Sequence, residues 1–101
     1  MRSPRRMIEY DDVFRQELAA TGIRQVLYPQ VDLATEPRWG RMGLTLGEDA
    51  ELTTTMMLSM LKGLQGGLQL TNSLLVATVK HFPGGGPQEV RSARQLWTPI
   101  R

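Results

Sequence analysis

The chain has 101 residues, of which 41% are hydrophobic and 22% are charged, and its net charge at pH 7 is +2. This composition is typical of a folded globular protein, and the length allows one small domain at most. So small a net charge does not by itself indicate a nucleic-acid partner. The sequence contains no cysteine, which excludes disulfides and thiolate metal sites.

The N-terminal segment, residues 1–9, is basic and has no apolar core, so we predict a frayed lead-in and no secretory signal. No apolar run approaches the ~20 residues that a membrane-spanning helix needs. We therefore expect no membrane partner. The cytoplasm is the default expectation for a chain without such segments.

The first predicted elements are a helix over 10–20 and a strand over 23–28. Asp11 or Asp12 is suited to cap the helix, and Thr21-Gly22 is suited to end it. The strand is a short apolar run that the following proline stops. The apolar stripe of the helix consists of Val13, Phe14 and Leu18.

A loop over 34–47 leads to a second helix and a second strand. The segment Thr45-Leu46-Gly47-Glu48 has the form of a capping box, which predicts that the helix begins near Gly47. Gly66-Gly67 should end the helix, and the apolar run 74–79 is typical of a parallel strand. Apolar residues recur at helical spacing along the helix, as Leu52, Met56, Met60 and Leu64.

Polar side chains follow both predicted strands. If the strands are parallel, these side chains meet at one edge of the sheet, where α/β enzymes build their sites. Cations, an imidazole and carboxylates around one cleft suit a polyhydroxylated or anionic ligand, whereas the alternative is an ion-pair network that only closes the fold. The residues concerned are Asp32, Glu36, Arg38, Arg41, Lys80 and His81.

No cofactor or metal is predicted at this edge. His81 is the only histidine, and a metal site needs partner ligands. The glycines at 84–86 do not match a phosphate-binding loop, because there the lysine follows the glycines and is itself followed by Ser or Thr.

Five segments together resemble glycoside hydrolase family 3, in the order and at about the spacing of that family, and the best match is its β-glucosidase-like branch. The resemblance covers residues 10–88. The segments are Pro29-Gln30-Val31-Asp32, Glu36-Pro37-Arg38-Trp39-Gly40-Arg41, Gly47-Glu48-Asp49, Gly63-Leu64-Gln65-Gly66 and Lys80-His81-Phe82-Pro83-Gly84.

The resemblance implies an α/β fold that is part of a (β/α)₈ TIM barrel, here about two parallel strands and two helices. It implies an enzyme that releases terminal β-linked sugars from oligosaccharides or glycosides with retention of configuration. Carried over residue by residue, it implies that Arg41, Lys80 and His81 bind hydroxyls of the sugar. Asp32, Arg38 and Trp39 match positions that shape the loop, and Glu36 is a poor catalytic candidate for the same reason.

The chain also departs from the family pattern. The nucleophile of the family lies on a later strand, and neither it nor the acid/base can be placed here. The tail, residues 89–101, replaces the expected acidic continuation with a basic segment. We therefore interpret the chain as a truncated or frame-disrupted piece of a longer enzyme that is inactive alone and leaves apolar surface open for self-association.

Two other functions stay open. One is a non-catalytic carbohydrate-binding remnant, which needs the sugar site but no carboxylate pair. The other is a small basic nucleic-acid-binding protein, which only the arginine-rich ends favour and which lacks a recognisable motif.

Overall fold

A computed structural model describes residues 3–67, 71–72, 74–82 and 84. The elements, in chain order, are helix α1 (Pro4–Ala20), strand β1 (Gln25–Val26), a 3₁₀ turn (Met42–Leu44), helix α2 (Ala50–Gln65) and strand β2 (Val76–Ala77). The predicted α/β pattern of helices and parallel strands is confirmed within this range, whereas a complete barrel is not tested by it. The predicted tail, 89–101, lies outside the described residues.

Helix α1 begins six residues before the predicted start at Tyr10, so residues 4–9 are helical and not a frayed lead-in. The Ser3 hydroxyl caps the helix by accepting from the N–H of Arg6 at 3.4 Å, and Pro4 follows with φ already suited to a first turn. An ion pair between Arg5 and Glu9, 3.0 Å, supports the polar first turns. The apolar periodicity missed this start because the cap and the ion pair are polar.

Helix α2 begins at Ala50, and the predicted capping box at 45–48 is wrong. Asp49 is the N-cap instead, because its Oδ1 accepts from the N–H of Leu52 at 2.7 Å. Gly47 lies at φ 117°, outside helical geometry, and the hydroxyl of Thr45 donates to the carbonyl of Met42. The helix ends as predicted, at Gly66, whose φ of 71° is the left-handed conformation that favours glycine.

Strands β1 and β2 are parallel, with Gln25 opposite Val76 and Val26 opposite Ala77. This confirms the predicted parallel pairing. The regular strands are shorter than predicted, but hydrogen bonds continue the pairing beyond them. Val76 donates to Arg24, Thr78 to Val26 and Lys80 to Pro29. Pro29 cannot donate to a ladder, which is one reason why the regular strand stops early.

The core lies between α2, α1 and the start of β2. The predicted stripe is buried at Met56, Met60 and Leu64, and Leu75 completes the core by donating its N–H to the carbonyl of Leu64. The fourth stripe residue, Leu52, is half-buried. Helix α2 packs against α1 as well as against the sheet, which the stripe alone did not indicate.

Helix α1 contacts the segment just after β1 through an edge-to-face pair of Phe14 and Tyr28, whose ring centroids are 6.0 Å apart. Val13, predicted in the same apolar stripe, is exposed. Within the described part of the chain, no helix is long and apolar enough to cross a membrane.

Candidate functional site

The C-terminal ends of the two strands meet at one edge of the sheet. Gln30 and Lys80 form an isolated parallel bridge, in which the N–H of Val31 donates to the carbonyl of Lys80 at 2.6 Å. The next peptide bond, Lys80–His81, is cis. The bridge places Lys80 directly beside the residues that follow β1, and His81 comes next in the chain.

Asp32 and His81 are in direct contact across this edge. Oδ2 of Asp32 lies 3.0 Å from Nδ1 of His81 and also accepts from the backbone N–H of His81, at 3.3 Å. The Asp32 side chain is fully buried, whereas 39% of the His81 side chain is exposed. The carboxylate thus lies behind the imidazole, and the imidazole faces outward.

Burial alone would raise the pKa of Asp32. The hydrogen bonds from the ring and backbone of His81, with a smaller contribution from Gln30, outweigh burial and hold the pKa of the Asp32 carboxyl below its usual value. Asp32 is therefore ionised at neutral pH, when it accepts hydrogen bonds but donates none.

Gln30 is a partner of Asp32 that the sequence analysis did not identify. It is buried, and neither its Nε2 nor the Oδ1 of Asp32 has a hydrogen-bond partner of standard geometry. The spacing of two residues was the available signal, because side chains at positions i and i+2 of an extended segment lie on the same side. Gln30 and Asp32 are thus two neighbouring buried polar side chains just past the end of β1.

The loop that follows Asp32 is closed at its base, where the N–H of Ala34 donates to the carbonyl of Gly47 at 2.9 Å. Inside it, both carboxylate oxygens of Glu36 accept from the guanidinium of Arg38, at 2.6 and 2.9 Å. Glu36 is buried while Arg38 is largely exposed. The Glu36 carboxylate therefore forms its ion pair with a residue of its own loop.

Arg41 stacks on the aromatic residue of this loop, with its guanidinium carbon 5.5 Å from the Trp39 ring centroid. Arg41 is exposed and Trp39 is half-buried. Stacking through the face of the guanidinium leaves its N–H groups free to donate hydrogen bonds in the guanidinium plane. That Arg41 reaches the ligand of Lys80 and His81 stays a prediction.

The edge therefore combines Lys80, the imidazole of His81 and the buried carboxylate of Asp32, which suits hydrogen bonding to a neutral polyol. Among the described residues, no group of three acidic or histidine side chains is arranged to hold a metal ion. Concave regions of about 540 and 410 Å³ lie at the start of α2 and between α1 and α2, and their lining includes neither Asp32 nor Lys80 nor His81.

Comparison with known proteins places the chain in one family. Residues 2–99 match the profile described as the glycosyl hydrolase family 3 N-terminal domain. The chain is 46% identical over 89 residues to β-glucosidase C of Emericella nidulans, an alignment that covers 88% of this chain and 14% of that protein.

Two bacterial proteins are similar over most of the same region. The identity is 45% over 78 residues with a periplasmic β-glucosidase/β-xylosidase of Dickeya chrysanthemi, covering 76% of this chain and 12% of that protein. It is 37% over 73 residues with a periplasmic β-glucosidase of Salmonella typhimurium, covering 72% and 10%. The chain thus spans about one seventh or less of the length of these relatives.

Proposed function

Because the chain belongs to glycosyl hydrolase family 3, we propose that it is the sugar-binding part of a glycosidase that releases terminal β-linked glucose or xylose. In this proposal residues 10–88 are the barrel segment, and Arg41, Lys80 and His81 bind the sugar hydroxyls. The observation that carries it is the contact between Asp32 and His81, which holds an outward-facing imidazole next to Lys80 at the C-terminal edge of a parallel pair.

The side chains of Lys80, Arg41 and His81 together match the hydrogen-bonding chemistry of a monosaccharide. Lys80 and Arg41 only donate hydrogen bonds, whereas an imidazole both donates and accepts. A sugar hydroxyl also does both, so neighbouring hydroxyls can be held by a mixture of donors and an acceptor. An anionic ligand would favour cations alone, and the buried negative charge of Asp32 disfavours it.

We further propose that this chain alone does not hydrolyse glycosides. A retaining glycosidase needs two carboxyl groups ~5 Å apart that both face the substrate. At the described edge, the carboxylate of Asp32 is committed to His81 and that of Glu36 to Arg38. Neither is placed to attack a sugar or to protonate its leaving group.

Nucleic-acid binding is the weaker proposal. Of the arginines in the described residues, Arg5, Arg15 and Arg38 each pair with a carboxylate of their own segment. Such pairing reduces the positive charge available to phosphates. The proposed partner is therefore a β-linked sugar and not a nucleic acid, and no cofactor is required.

The test is a titration of the ¹⁵N-labelled 101-residue chain with methyl β-D-glucoside and methyl β-D-xyloside, followed by NMR. For so small a ligand we expect a dissociation constant of about 1 mM. The amides of 30–32 and 80–81 should shift. Lys80→Ala and His81→Ala should each weaken binding by about tenfold, since each removes a hydrogen bond to the sugar.

The matched control is Lys62→Ala, which removes an exposed lysine from the last turn of α2 and should leave the affinity unchanged. If the wild type and Lys80→Ala bound the methyl glycosides with equal affinity, the proposed sugar site would be contradicted. Turnover of aryl β-glucosides or β-xylosides that disappears in Asp32→Asn would overturn the proposed inactivity and the role of Asp32 together.

A further inference from the structure

Asp32 contacts His81 in a way that constrains the imidazole at two points. A single oxygen, Oδ2, lies 3.0 Å from the ring nitrogen Nδ1 and 3.3 Å from the backbone nitrogen of the same residue. A ring held by its backbone and by one ring nitrogen has little freedom to rotate. The remaining nitrogen, Nε2, is on the far side of the ring from the carboxylate.

The chemistry of the two partners decides where the ring proton lies. An ionised carboxylate only accepts hydrogen bonds, so a contact of 3.0 Å with Nδ1 requires that Nδ1 carries a proton. In a neutral imidazole only one nitrogen is protonated, and the other is an acceptor. With the proton on Nδ1, Nε2 has a free lone pair.

We propose that Asp32 is a positioning residue that holds His81 in the Nδ1–H tautomer, so that Nε2 accepts a hydrogen bond from a hydroxyl of the bound sugar. The inference rests on the proposed sugar-binding function of His81. It assigns the direction of that hydrogen bond, which the function alone leaves open. Asp32 acts only through His81 and does not touch the ligand.

The direction matters because the other two proposed sugar ligands, Lys80 and Arg41, only donate hydrogen bonds. A hydroxyl that accepts from Lys80 or Arg41 has its own proton left to donate, and Nε2 is the acceptor that takes it. A site built in this way should reject a sugar whose hydroxyl proton at that position is replaced by a methyl group, because Nε2 would then lose its partner. The arrangement therefore favours a free hydroxyl over an ether.

The experiment uses the fact that His81 is the only histidine in the chain. Long-range ¹H–¹⁵N correlation spectra of the labelled 101-residue chain then report one imidazole without ambiguity. The spectra are recorded at rising pH until the ring ¹⁵N shifts no longer change, and the tautomer of the neutral ring is read there. We expect a protonated Nδ1 and an unprotonated Nε2. The Nε2–H tautomer, or the mixture seen in free histidine, would overturn the inference.

A pair of variants separates positioning from a general effect of buried charge. Asp32→Asn should lower the ratio of Nδ1–H to Nε2–H by about tenfold, since a charge-assisted hydrogen bond is replaced by a neutral one. Asp11→Asn makes the same change at another fully buried carboxyl, on α1, and should leave the ratio unchanged. If Asp32→Asn fails to fold by circular dichroism, the wild-type tautomer decides the question alone.

The tautomer is measured without ligand, so its outcome is independent of the sugar titration. A chain with the Nδ1–H tautomer that binds no sugar would refute the proposed function and leave Asp32 as the residue that sets the tautomer. A chain that binds sugar through the Nε2–H tautomer would refute the role of Asp32 and leave the function standing.

Discussion

Two buried aspartates in this chain have pKa values shifted in opposite directions, and the difference lies in their partners. Asp32 accepts hydrogen bonds from His81, which keep its pKa low. Asp11 is fully buried between the helices, and neither of its oxygens has a hydrogen-bond partner of standard geometry. Burial raises the pKa of Asp11 to about 6, against a smaller lowering by the nearby Tyr28 hydroxyl.

Asp11 should therefore make the fold less stable as the pH rises. Its pKa is about 6 in the folded chain and near 3.8 when unfolded, so the folded state binds the proton more tightly. Between about pH 4 and pH 6 the free energy of unfolding should fall, by about 3 kcal/mol in all. Asp11→Asn removes this dependence and should be the more stable protein at pH 7.

Urea unfolding at a series of pH values, followed by circular dichroism, measures the difference between the variant and the wild type. Asp12→Asn is the matched control on the same helix. Its hydrogen bond with Arg15 lowers the pKa of Asp12, so that change should cost stability above pH 4 and not below it. A wild type that loses no stability relative to Asp11→Asn across pH 4–6 would contradict the shift.

At the level of elements, α1 packs closely against α2, and Gly63 lies where the two helices approach each other. A Cβ at this position would lie 2.6 Å from Cβ of Asp11 and 2.6 Å from the carbonyl oxygen of Ile8. Helices meet this closely only where one of them has no side chain. The same crossing buries Asp11.

Gly63→Ala should accordingly destabilise the fold. Overpacking typically costs 1–3 kcal/mol, while alanine regains up to about 1 kcal/mol of helix propensity, so we expect a net loss of about 1–2 kcal/mol. Gly43→Ala is the control, because nothing lies within 4 Å of a Cβ there. Thermal unfolding compares the two, and equal midpoints would show that the helices are not in close contact at Gly63.

The order and pairing of the elements could be predicted from the sequence, but their starts could not. Apolar periodicity identified α2 and its core residues, and the glycine at position 66 identified its end. Both helix starts were missed because they depend on single polar caps, Ser3 and Asp49, among several residues able to cap. Periodicity carries no information about which candidate is used.

The candidate site, too, could be predicted from the sequence only in part. The meeting of Asp32 and His81 followed from the parallel pairing, because both residues lie just past paired strand ends. The burial of Asp11 did not, since it depends on packing between two helices distant in sequence. The contribution of Gln30 to Asp32 was missed although their spacing of two residues was an available signal. It is still a prediction that the side chains of Arg41, Lys80 and His81 lie together.

For the whole molecule, the two-stranded sheet leaves apolar side chains in solvent. Leu27 and Val76 are 64% and 52% exposed, and each strand of the described pair has one partner only. Unpaired strand edges promote association. We therefore expect the average mass from light scattering to rise with concentration, and Val76→Thr to reduce that rise.

Leu58→Thr is the matched control for this association, because Leu58 is exposed to a similar degree but lies on α2. Association that Leu58→Thr weakens as much as Val76→Thr would place the contact elsewhere than on the sheet. A monomer at every concentration would contradict the expectation outright.

The central claim is that Arg41, Lys80 and His81 share one sugar at the C-terminal edge of the parallel pair. A crystal structure of the 101-residue chain with saturating methyl β-D-glucoside tests it most directly. We predict one sugar ring whose hydroxyls lie about 2.7–3.2 Å from all three side chains, with Nε2 of His81 as an acceptor. Arg41 on the opposite side of the sheet from Lys80, or a sugar bound away from this edge, would contradict it.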